Sequence, residues 1–89
     1  MADLPSRTII REEVFEDELR VLIPHPEMAD EYTAAAESVL ASEPEMGVPV
    51  DAGPPEVWAL PMSPVEGKTI WLLYSFDKAA VVFLGLRAL

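Results

Sequence analysis

The chain has no cysteine among its 89 residues, which removes disulfides, thiolate zinc sites and cysteine nucleophiles together. Basic side chains are scarce too: six lysines and arginines stand against sixteen aspartates and glutamates, a formal charge of −10. Phosphate backbones and anionic lipid surfaces repel such a chain at long range, so nucleic acid and membranes are poor candidates for its partner. The single histidine, His25, has no thiol to pair with, and the four glycines never cluster into a phosphate-cradling loop or a dinucleotide fingerprint. No cofactor and no metal are expected. Long hydrophobic runs are also missing. The longest near the end, Ala79 to Leu86, is eight residues, against about 20 for a bilayer-crossing helix. Met1-Ala2-Asp3-Leu4-Pro5 has neither the basic start nor the apolar run of a signal peptide. The expectation is a cytoplasmic protein.

What is present suits one small domain spanning residues 1–89. Hydrophobic residues make up 51% of the chain, enough for one core at a length too short for two. The charge is unevenly placed: Met1 to Glu56 holds fourteen acids and three bases, while Val57 to Leu89 holds two acids and three bases. The plainest reading of the acidic part is a solvated surface; the sharper one is a basic partner protein.

Residues 7–11, Arg-Thr-Ile-Ile-Arg, are β-branched at their centre and suit a first strand or an arm. Helical spacing takes over across 13–23, with Phe15, Leu19, Leu22 and Ile23 on one stripe and acids near the start, where the helix dipole favours them. Pro24 and Pro26 end it, and Pro26 opens a second helix over 26–43. The expected buried stripe of that helix is Met28, Tyr32, Ala35, Ala36, Val39 and Leu40. Pro44 stops it, and Gly47 is placed for a left-handed turn. The prolines and glycines from Glu45 to Glu56 predict a stiff connecting loop. Three strands follow, at 57–62, 68–76 and 79–87. Pro61 places part of the first at an edge or bulge. The second carries apolar residues on both faces, Ile70, Leu72, Tyr74 and Phe76 against Trp71 and Leu73, as a central strand does. A tight hairpin at Asp77-Lys78 joins it to the third. The fold class is therefore α+β: a two-helix hairpin packed on a mainly antiparallel sheet of three to four strands, in the order β-α-α-β-β-β.

Few residues suggest chemistry. Glu12, Glu13, Glu16, Asp17 and Glu18 form the densest carboxylate cluster, read as a solvated helix start, because hard cations need more oxygens from a defined loop or a second helix. None of the serines stands in a nucleophile-elbow or Ser-x-x-Lys setting. Trp71, Tyr74 and Phe83 are the residues expected to carry contacts with another chain. Sheet aromatics can stack on bases, but base-binding sheets of that kind come with lysine and arginine. The last apolar run, if it lay at a sheet edge, would invite pairing with a second copy or a partner strand.

Three phrases carry a family likeness: Val14-Phe15-Glu16-Asp17-Glu18-Leu19 in the first helix, Val39 to Gly47 at the end of the second, and Leu72-Leu73-Tyr74-Ser75-Phe76-Asp77 before the final strand. Together, over about Ile9 to Arg87, the chain resembles RelE/ParE-type toxins of toxin–antitoxin systems. That resemblance implies a RelE-like fold and an antitoxin-like partner. It also implies a basic sheet surface and a C-terminal tyrosine in the members that cut messenger RNA, and here the chain departs from the pattern. Trp71 stands where the family's strand has an arginine, Arg87 matches a late-strand arginine, Lys68 matches a basic residue loosely, and Leu89 stands where a tyrosine is expected. Phosphodiester cleavage needs positive groups against transition-state charge. The expectation is thus a RelE/ParE-like domain without ribonuclease activity, acting through protein contacts or as a homodimer. Two alternatives stand beside it: an active toxin with a reduced site at Arg87 and Lys68, and an acidic adaptor or inhibitor of a basic protein.

Overall fold

A computed structural model describes residues 6–62 and 67–88. Met1–Pro5, Ser63 and Leu89, on which parts of the sequence reading fall, lie outside them. Two helices pack on one side of a five-stranded mixed sheet whose strand order is β1-β5-β4-β3-β2. The elements are β1 (Thr8–Arg11), α1 (Glu13–Leu22), α2 (Pro26–Ser42), a single 3-10 turn at Pro44–Met46, β2 (Val48–Asp51), β3 (Val57–Pro61), β4 (Ile70–Phe76) and β5 (Ala80–Ala88).

The α+β class and the succession of elements follow the expectation, with one strand more. Residues 48–51 form β2, antiparallel to β3, inside the stretch expected to be loop. Pro49 tolerates this because β2 is an edge strand, where a missing N–H costs no ladder bond on the open side. β1 runs parallel to β5, from Thr8 beside Ala80 to Arg11 beside Phe83. It therefore occupies the edge at which the last apolar run was considered for pairing, and β5 is interior. β4 is central, between β3 and β5. β2 pairs with β3 only through Ala59, so Pro61 lies past the end of that pairing.

The core lies between helices and sheet. Phe15, Leu19 and Ile23 come from the α1 side, Ala29, Ala36 and Leu40 from α2, and Ile70, Leu72, Tyr74, Val81, Phe83 and Leu86 from the sheet. Phe15 meets Phe83 edge-on, with ring centroids 5.2 Å apart, an arrangement the ring quadrupoles favour. The stripe of α2 is turned from the one expected. Ala36 and Leu40 are buried and Met28 and Tyr32 pack half-buried against the core as expected, but Ala29 and Thr33 are buried beside them while Ala35 and Val39 are exposed. The buried side chains at 29, 33 and 36 are small, and Thr33 satisfies its buried hydroxyl by donating to the Ala29 carbonyl at 2.6 Å.

Gly47 is extended, with φ −80°, rather than left-handed. Its role is space: an added Cβ would run into Tyr74 Oη and stand 2.5 Å from the Ala59 carbonyl oxygen. The Tyr74 hydroxyl donates to the Pro44 carbonyl at 2.6 Å and accepts the Gly47 N–H at 3.1 Å. One buried phenol thereby ties the exit of α2 to the central strand.

Candidate functional site

Strand alternation gives this sheet two unlike faces. On the helix side Tyr74, Leu72 and Ile70 align with Trp58 and Leu60 of β3 and with Phe83 and Leu86 of β5. The opposite face carries Trp71 and Leu73 of β4, Val82 and Leu84 of β5, Val57 of β3, Ile10 of β1 and Val48 of β2. Among the described residues no helix covers it. Its central side chains are half-buried only by their neighbours in the sheet, and toward the edges Ile10 and Val48 are 46% and 50% exposed. Ser75 and Arg87, in register with Val82 and Trp71, are polar positions on the same face; the apolar side chains around them are exposed surface of the kind that marks interaction sites.

The basic residues do not gather on that face. Arg7 donates to the Asp77 carbonyl at 2.7 Å and lies over the Phe76 ring, 5.9 Å from its centroid. Arg11 bridges Glu16 and Glu37, at 3.4 and 2.6 Å. The first of these is long and the second short, so Glu37 is its main partner. Arg20 pairs with Asp17 at 2.7 Å within α1. Desolvation lowers the Arg11 guanidinium, but the hydrogen bonds and charges of Glu37 and Glu16 together outweigh it and hold the group above its already high ordinary value, so it stays charged.

Lys68 and Arg87, the two residues singled out for a reduced catalytic site, do lie toward the same end of the sheet. Arg87 is in register with Trp71, and Lys68 is three residues before Trp71. The Arg87 charge is already met. Its guanidinium donates to Glu18 at 2.8 Å, and the other oxygen of the same carboxylate accepts the Leu86 N–H at 2.9 Å. β5 continues to Ala88, past the end of its pairing with β1, so Glu18 caps a strand edge there as well as neutralising the arginine. The acidic cluster of α1 is thus divided among separate tasks, with Glu16, Asp17 and Glu18 each paired to a different arginine. Among the described residues no three histidine, aspartate or glutamate side chains converge as a metal site would require. His25 is exposed at the N-cap of α2.

Of the three residues expected to carry contacts, Trp71 is on the uncovered face. Tyr74 and Phe83 are 0% exposed in the helix-side core, and neither side chain presents a surface to another chain. Burial also pushes the Tyr74 phenol above its ordinary value, opposed by the Gly47 N–H. The sequence carried a signal for the uncovered face, because β4 and β5 are apolar at both parities. It carried none for Val48, whose strand was hidden among prolines.

Among the described residues no helix is long and apolar enough to cross a membrane. Comparison with family models, with curated proteins and with solved structures gives no match for this chain.

Proposed function

We propose that this is a RelE/ParE-like domain that works by protein contact rather than by RNA cleavage, with the uncovered sheet face as its contact surface. The observation that carries the reading is that face: Ile10, Val82, Leu73, Trp71 and Val48 lie on it, and among the described residues both helices are on the other side of the sheet. The occupant is a small antitoxin-like protein. A second copy is disfavoured because each copy brings a charge of −10, and like net charges slow and weaken association. Ribonuclease chemistry has little to draw on, since Arg7, Arg11, Arg20 and Arg87 all have partners within the fold.

Co-expression with the product of the neighbouring gene tests the reading, because toxins of the resembled family are normally encoded beside their antitoxin. The two proteins are expected to co-purify, and Leu73→Asp is expected to abolish the complex while leaving the far-ultraviolet circular dichroism unchanged. Expression alone is expected to leave bacterial growth unaffected. Growth arrest that Arg87→Ala relieves would replace this reading with an active toxin. A concentration-dependent dimer that Leu73→Asp dissolves would replace the antitoxin-like partner with a second copy.

A further inference from the structure

A second apolar surface lies away from the open sheet face, on the helix side, where α2 fails to cover the edge of β3. Tyr32, Ala36 and Val39 of α2, Met46 after it, and Leu60 and Met62 at the end of β3 line a groove of about 310 Å³. The turned stripe of α2 creates it. With Ala29, Thr33 and Ala36 inward, Val39 is left 38% exposed, and Met46 is 60% exposed on the far wall. β2, which could have closed the edge, stops pairing at Ala59.

Charge narrows what fits. Every lining residue comes from the stretch Pro26 to Met62, which holds eight acids and not one lysine or arginine. Glu43 and Glu45 stand at the C-terminal end of α2, and the helix has no basic residue in its last turn. Acids there oppose the negative end of the helix dipole, an arrangement that costs stability in the free protein and that an incoming cation would relieve. Arg7 lies beside Glu43 and Glu45, and Arg11 pairs with Glu37; two arginines against eight acids leave the surroundings net negative. Apolar walls in a net negative field select an apolar anchor with positive flanks and repel anionic lipid and nucleic acid.

We propose that the α2–β3 groove receives an amphipathic segment of another protein, with one or two apolar anchors flanked by lysine or arginine. The proposal does not depend on the RelE/ParE reading or on the open sheet face.

The test uses the full chain and two synthetic helical peptides, each with leucine anchors four residues apart, one flanked by lysines and the other by glutamates. In titrations followed by methyl nuclear magnetic resonance, the lysine peptide is expected to shift the methyl signals of Val39, Met46 and Leu60 while those of Leu73 and Val82 stay in place. Met46→Ser and Val39→Ser replace exposed side chains, so the fold is retained, and each is expected to weaken binding roughly tenfold. Glu43→Gln with Glu45→Gln is expected to weaken it less and to flatten its salt dependence. Four results would overturn the proposal: equal binding of the glutamate peptide, shifts confined to the Leu73 and Val82 face, unchanged affinity in Met46→Ser and Val39→Ser, or self-association that Met46→Ser removes. Loss of the neighbouring-gene complex in Leu73→Asp bears only on the other surface, so the two readings fail separately.

Discussion

At the scale of single residues, Tyr74 and Gly47 form one device. The phenol satisfies a carbonyl and an N–H in the turn after α2, and the glycine leaves it room. Tyr74→Phe keeps the ring and strands both backbone groups, so a loss of about 1–3 kcal/mol is expected in urea unfolding; a loss below about 0.5 kcal/mol would mean the turn finds other partners. Gly47→Ala forces a Cβ against the Ala59 backbone and is expected to cost a similar amount, about 1–3 kcal/mol. The phenol also sets an alkaline limit. Its folded pKa lies above the unfolded value, so its contribution is complete below about pH 10 and is lost as pH rises through the folded value. Alkaline unfolding of the native chain is expected to show this limb and Tyr74→Phe to lack it.

Among the elements, the β4–β5 connection and the free end of β5 are each held by one carboxylate. Asp77 accepts the Ala79 N–H at 2.7 Å and the Ala80 N–H at 2.9 Å, and its own N–H donates to the Ala80 carbonyl at 3.0 Å. Those bonds, the Ala79 N–H first, hold its pKa below the ordinary carboxylate value. Its contribution is therefore present above about pH 4 and fades as pH falls through the folded value. Melting temperatures recorded on acidification are expected to fall less steeply in Asp77→Ala than in the native chain; parallel curves would remove Asp77 from the account. At the other end of β5, Glu18→Ala is expected to cost about 1–2 kcal/mol by freeing the Leu86 N–H and the Arg87 charge together. Glu18→Gln, which keeps an acceptor, is expected to cost less. Equal losses would show that the charge rather than the edge cap matters.

For the molecule as a whole, acids outnumber bases by ten, and four arginines are already engaged within the fold. What remains on the surface is mutual repulsion among carboxylates, which salt screens. Raising ionic strength from about 0.01 M to about 1 M shortens the screening length from about 30 Å to about 3 Å, and the melting temperature is expected to rise. A fall would show that the partly exposed arginine pairs outweigh the repulsion. The two apolar surfaces belong to this scale too. They leave the small domain with greasy surface on both sides of β3, which is the setting in which a bound partner adds most to stability.

Sequence alone determined the α+β order, because helical and alternating periodicities are local and the prolines at 24, 26 and 44 punctuate them. The central place of β4 was legible for the same reason, since residues of both parities are apolar there. The rest depended on partners distant along the chain. β2 became a strand only because β3 offered an edge to pair with, and β1 took the place beside β5 by a parallel pairing that no local pattern encodes. The face of α2 that turned inward was decided by packing against the shared core rather than by the helix's own pattern. Tyr74 and Phe83, which the sequence marked for contact, went to the core because the register placed them under the helices. Local periodicity assigns a residue to a face of its own strand, and only tertiary packing decides which of the two faces is covered.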